Sequence, residues 1–190
     1  MLHPLTQQGL TDQLLTAERI QEHHGWDLAP NLLALFHHPW SPHPHLVHSD
    51  SPVDPAVWHD LPTGAQDPRP AVALHHLADT LATAPMRTWL RDWLHKDGRV
   101  CLGFALVFEA WIGAAHPTYR HGDLAQAPPS DRVEARVVAA ADIGGRIHRI
   151  IRVRGAHTPT ADSWAAPPPR IRDTRIATAL TRLVQLAHRQ

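Results

Sequence analysis

The chain has 190 residues, 43% of them hydrophobic, and its 18 basic and 18 acidic side chains leave no net charge when histidine is neutral. That length can bury the core of one domain, and the charge balance leaves no overall field to gather nucleic acid or an anionic membrane. No apolar run approaches the roughly 18 residues of a membrane span, and residues 1–30 lack the basic start and apolar centre of a secretory leader, so the expectation is a cytoplasmic protein without membrane contact.

Composition excludes some chemistry and warns about more. The lone Cys101 rules out an internal disulfide and any zinc site built from several thiolates, and inside an apolar run it reads as a small buried hydrophobe. Lys96 is the only lysine and Asn31 the only asparagine, a composition typical of GC-rich coding. With 17 histidines in the chain, local clusters of imidazole arise by chance.

In chain order, Thr11 reads as an N-cap for an amphipathic helix carrying Leu14, Ala17 and Ile20, stopped at Gly25. Pro30 suits the first turn of a short helix over 31–36, although a strand fits the same apolar run. Prolines 39, 42 and 44 exclude a helix and any central strand before about Leu46. His43, His45 and His48 offer three imidazole nitrogens, but in an extended chain they do not converge, so no metal site is assigned. Asp54-Pro55 opens a short turn of helix to Trp58. Leu74, Leu77, Ala78 and Leu81 mark a helix over 68–82, and a further helix from Pro85 to Gly98 sets Trp89 and Trp93 on one face, where indoles act as core anchors.

The stretch from Arg99 to Gly155 reads as an antiparallel meander with strands at 100–113, 132–142 and 146–154. Leu102, Phe104, Leu106 and Phe108 share one face of the first strand, with Cys101, Gly103, Ala105 and Val107 on the other. Turning the hairpin at Ile143-Gly144-Gly145 pairs Asp142 with Arg146 and Glu134 with Arg154, and places Arg149 on the same side as Val137, Ile147 and Ile151. The fold class expected is α+β: a three- to four-stranded antiparallel sheet covered by N-terminal helices and a C-terminal helix. Residues 1–155 form the domain, and 156–190 supply a proline-stiffened linker and a helix with Ile176, Leu180, Leu183, Val184 and Ala187 on one stripe, to be buried against the body or a second copy of the chain.

Chemistry concentrates at the end of the sheet away from the hairpin. Glu109 breaks an apolar strand, and a carboxylate there must be paired or serve a site. Glu134, Arg136, Arg152 and Arg154 gather beside it, and the long segment 114–131 contributes His116, Tyr119, Arg120 and His121. Arginine suits bidentate recognition of carboxylate or phosphate.

The pattern Leu102-Gly103-Phe104-Ala105 through Phe108-Glu109-Ala110-Trp111, then Asp131-Arg132-Val133-Glu134-Ala135-Arg136, Asp142, Gly144 and Arg152-Val153-Arg154-Gly155, resembles uncharacterised proteins of high-GC actinobacteria and their phages. Gly25-Trp26-Asp27, Pro30 and Leu33-Ala34-Leu35 are similar to the same group. The resemblance implies phage or mobile-element ancestry and carries no activity or catalytic residue.

No phosphate-binding glycine loop and no nucleophile elbow is present. The functional expectation is an accessory binding or regulatory module that recognises a small anionic ligand or a protein partner through Arg136, Arg152, Arg154 and the loop residues, with no cofactor. Acids interleaved with the arginines disfavour nucleic acid. The alternative is a small metal-dependent or acid-base hydrolase using Glu109 or Glu134 with His116, His121 or His148.

Overall fold

A computed structural model describes residues 2–37, 47–54, 58, 69–113 and 132–188. The α+β class and the meander hold, but the sheet has six strands rather than three or four, in the order β2-β1-β3-β4-β5-β6, every neighbour antiparallel. The strands are β1 (Asn31–His37), β2 (Val47–Asp50), β3 (Val100–Gly113), β4 (Arg132–Asp142), β5 (Ile147–Val153) and β6 (Thr160–Trp164).

Two of the extra strands correct sequence expectations. The apolar run expected as a short helix is β1, where Leu32 to Phe36 are buried on both faces between β2 and β3. Burial on both sides removes the alternation that marks a half-buried strand, so period carried no information there. The supposed linker holds β6, an exposed edge strand whose residues Thr160-Ala161-Asp162-Ser163 show no apolar alternation.

Helices cover both faces. On one lies α1 (Pro4–His24), which buries Leu10, Leu14 and Ala17 against Leu33, Leu35, Val107, Val138, Ala140 and Ile150. It starts a full two turns before Thr11: His3 is the cap, accepting from the Leu5 N–H, and the Thr11 hydroxyl bonds back to the Gln7 carbonyl. On the other face lie α2 (Arg69–Leu81), α3 (Ala84–Leu94), the short α4 (Pro169–Arg172) and α5 (Arg175–His188). The α5 stripe Ile176, Leu180, Leu183, Val184 and Ala187 is buried in the larger core with Phe104, Leu106, Phe108, Val137 and Ile151. The indole pair is divided between core and solvent: Trp93 packs on the core against Phe36, while Trp89 stacks outside it and is 44% exposed.

The hairpin register is the expected one, Ala135 opposite Val153 through Ala141 opposite Ile147. In β3 a bulge between the partners Leu35 and Phe36 moves Leu102 to the α1 side and Cys101 to the opposite core, exchanging the two residues relative to strict alternation. Beside the bulge, a Cβ on Gly103 would collide with the Ala141 carbonyl, so the close approach of β3 and β4 requires glycine. The Cys101 thiol is buried, and that burial pushes its pKa up to about 12. Among the described residues no helix is long and apolar enough to cross a membrane.

Candidate functional site

The arginine-rich sheet end is assembled as expected, but it is covered and neutralised. The alternation of β4 and β5 points Arg136 and Arg152 toward α1, and α1 brings two glutamates down onto them. Arg152 Nε and Nη2 each donate to Glu18 at 2.6 Å, while its Nη1 donates to the carbonyls of Ala156 and His157. Arg136 donates to Glu22 at 2.7 Å, to Glu109 at 3.1 Å and to the Gly25 carbonyl, and its guanidinium lies over the Trp26 ring. Glu18 and Arg136 are essentially without solvent exposure. The bond to Glu18 raises the Arg152 pKa further above its ordinary value.

Glu109 is therefore an ion-pair partner, with its second oxygen accepting the Asp27 N–H at 2.7 Å. Arg154 pairs with Glu134 and with Asp27 and is half exposed, its guanidinium 5.2 Å from the Trp26 ring; Trp111, opposite Glu134 on β3, is 57% exposed. One oxygen each from Asp27, Glu109 and Glu134 lies within 4.8 Å of the others, a spacing that suits a cation, but the guanidinium groups of Arg136 and Arg154 already supply positive charge to the same carboxylates.

Glu18 was legible in principle. It falls on the stripe Leu10, Leu14, Ala17, and a carboxylate on the buried face of a helix demands a buried cation. The positive-φ residues Gly25 and Asp27 then turn the chain sharply, carrying Trp26 and Asp27 across the arginines.

The opposite face holds an arginine with two unspent donors. Arg149 lies on the α5 side, 9% exposed, in a strand whose neighbours there are Ile147 and Ile151. Its Nη2 donates to Asp162 of β6 at 2.7 Å and its guanidinium lies over the Trp164 ring at 5.0 Å. Nε and Nη1 are buried without a hydrogen-bond partner. Arg149 forms part of the wall of a cavity of about 50 Å³ between the sheet and α5, lined by His148 of the same strand and mostly by apolar groups such as Phe108, Val137, Ile147, Ile176 and Leu180. Thr174 and Arg175 bring the amino end of α5 to the same cavity, and the Thr174 hydroxyl caps that end by accepting from the Ala177 N–H.

His148 lies on the α1 side, buried, bonded through its two ring nitrogens to Asp142 and Ser163. The expected ion pair of Asp142 with Arg146 is replaced by backbone bonds: Asp142 accepts from the N–H groups of Gly144 and Arg146 and closes the turn. His148 is far along the sheet from Glu109 and Glu134, so the structure does not join these residues in one site. His43, His45, His116, Tyr119, Arg120 and His121 lie outside the described residues, as does the side chain of His48. Comparison with models of protein families, with curated proteins and with solved structures finds no match.

Proposed function

We propose that the protein is a binding module for a small organic carboxylate, held between the sheet and α5 by Arg149. The observation that carries this reading is the pair of buried donors, Nε and Nη1, with no acceptor. Leaving such donors unmatched costs roughly 1–3 kcal/mol each, a cost that a ligand carrying an acceptor to them would offset. Arg175 and the amino end of α5 add positive potential on the same wall, against which Asp162 supplies one carboxylate.

Size sets the ligand. A cavity of about 50 Å³ is a few times the roughly 10–15 Å³ that one water needs, and far below the several hundred Å³ of a drug-sized site. A carboxylate with a short aliphatic tail fits both the volume and the lining. The anion reader is moved from Arg136, Arg152 and Arg154, each of which faces at least two carboxylates, to Arg149, which pairs with Asp162 and keeps two unmatched donors.

Calorimetric titration with acetate, propionate and butyrate tests the reading. The expected result is saturable binding on the order of 0.1–1 mM for the best-fitting chain, weakened at least tenfold in Arg149→Met and unchanged in Arg154→Ala. Equal affinity in Arg149→Met, or no saturable binding by any of the three acids, overturns it.

A further inference from the structure

The edge strand β6 carries a second constellation, whose side chains lie on the face of the sheet opposite Arg149. Strand register sets His148 directly across from Ser163, and the β4–β5 turn returns Asp142 beside the same imidazole. Ser163 Oγ is 3.1 Å from His148 Nδ1, and His148 Nε2 is 3.2 Å from Asp142 Oδ2. The imidazole and carboxylate side chains are 3% and 2% exposed, whereas Ser163 faces solvent.

The proton positions follow from what each group can donate. Asp142 Oδ1 accepts from the backbone N–H groups of Gly144 and Arg146 at 2.8 and 3.0 Å, which fixes the carboxylate and leaves Oδ2 for the ring. An ionised carboxylate only accepts, so Nε2 carries the ring hydrogen and Nδ1 presents its lone pair to the Ser163 hydroxyl. Nucleophile, base and orienting group thus form one hydrogen-bonded line in which only the nucleophile reaches solvent. The ring nitrogens are used in the reverse order of the familiar Ser-His-Asp template, but the chemistry requires one lone pair and one anchored N–H, whichever nitrogen bears each. Arg146 Nη1, 3.4 Å from Ser163 Oγ, places positive charge beside the position where an oxyanion would develop. Packing alone does not call for this serine, because water at an exposed edge strand can satisfy Nδ1 equally well.

We propose that Ser163 is a nucleophile that accepts acyl groups from small activated esters or thioesters, with His148 as general base and Asp142 as a positioning residue. Ser163 Oγ bonds to the carbonyl carbon while its proton passes to His148 Nδ1. The bond from that carbon to the leaving oxygen or sulfur breaks, and the leaving group takes the proton from His148. Water, giving its proton to the same nitrogen, then adds to the acyl-serine; the carboxylic acid departs and Ser163 recovers a proton.

An alkyl fluorophosphonate, which phosphonylates activated serines with loss of fluoride, is the probe, read by intact mass and peptide mapping. The expected result is a single adduct on Ser163, formed about 10²-fold or more faster on native protein than on urea-unfolded protein. Ser163→Ala, a change at an exposed position, melts as the parent does and forms no adduct. Asp142→Asn keeps an oxygen for the turn but offers an N–H to Nε2, which moves the ring hydrogen to Nδ1; its labelling falls toward the unfolded rate while the fold survives. Native protein that stays unlabelled, is labelled at another residue or reacts no faster than the unfolded chain overturns the nucleophile. Asp142→Asn that is folded and labels at the parent rate overturns the positioning role.

Discussion

Arg149 and Arg152 stand on one strand, three residues apart, each less than a tenth exposed, and their surroundings could hardly differ more. Arg152 spends all its nitrogens, on both oxygens of a buried glutamate and on two backbone carbonyls. Arg149 spends one nitrogen on a half-exposed aspartate and keeps two buried donors idle beside a cavity. Burial of a charge is therefore ambiguous by itself. The saturated guanidinium ties α1 to the sheet, and the unsaturated one is available to something else.

Methionine at each position is the sharpest attack on that distinction. Arg152→Met strands Glu18 with only Arg136, at 3.7 Å, and is expected to cost about 3–5 kcal/mol in urea unfolding. Arg149→Met removes two unmatched donors and frees an aspartate that already reaches water, so its unfolding midpoint should stay level or rise. Comparable losses in the two variants would erase the contrast.

A smaller effect, from a position that touches neither arginine, calibrates the scale. Gly103→Ala forces the Cβ into the Ala141 carbonyl and is expected to cost about 1–3 kcal/mol by the same urea assay. The smallest effect concerns pH. Burial, with His95 nearby, pulls the His188 pKa below 6.5 in the fold, so on acidification the unfolded chain takes up that proton first. Stability should fall as pH drops below 6.5 and be unaffected by this group above it; His188→Gln should flatten that part of the profile. The arginine comparison is therefore best made above pH 7, where this slope is absent.

The parts of the fold visible in the sequence were those whose periodicity the environment preserves. The β4–β5 register followed from alternation and from the Gly144-Gly145 turn, and α5 from its five-residue apolar stripe. The strand β1 was ambiguous because burial on both faces erases alternation, and β6 was hidden because an exposed edge carries no apolar face. The same logic governs the sites. Sequence spacing brought Glu109, Glu134, Arg136, Arg152 and Arg154 to one end of the sheet, yet it could not say which cation answers the buried Glu18 or that Glu22 joins it, since those partners lie more than 100 residues away. Arg149 was visible as a charge among isoleucines; its lack of partners could be known only once Asp162 and α5 were in place.

The bond between Glu18 and Arg152 spans 134 residues. α1 thus carries a carboxylate whose partner is made only later, on the fifth strand of the sheet. Until β5 has joined the sheet, docking α1 would bury Glu18 without its bidentate cation, which disfavours early closure. α1 is accordingly expected to lock onto the sheet only after β5 has paired, and a chain truncated before Arg152 should leave α1 accessible to protease even where the β1–β3–β4 core has formed.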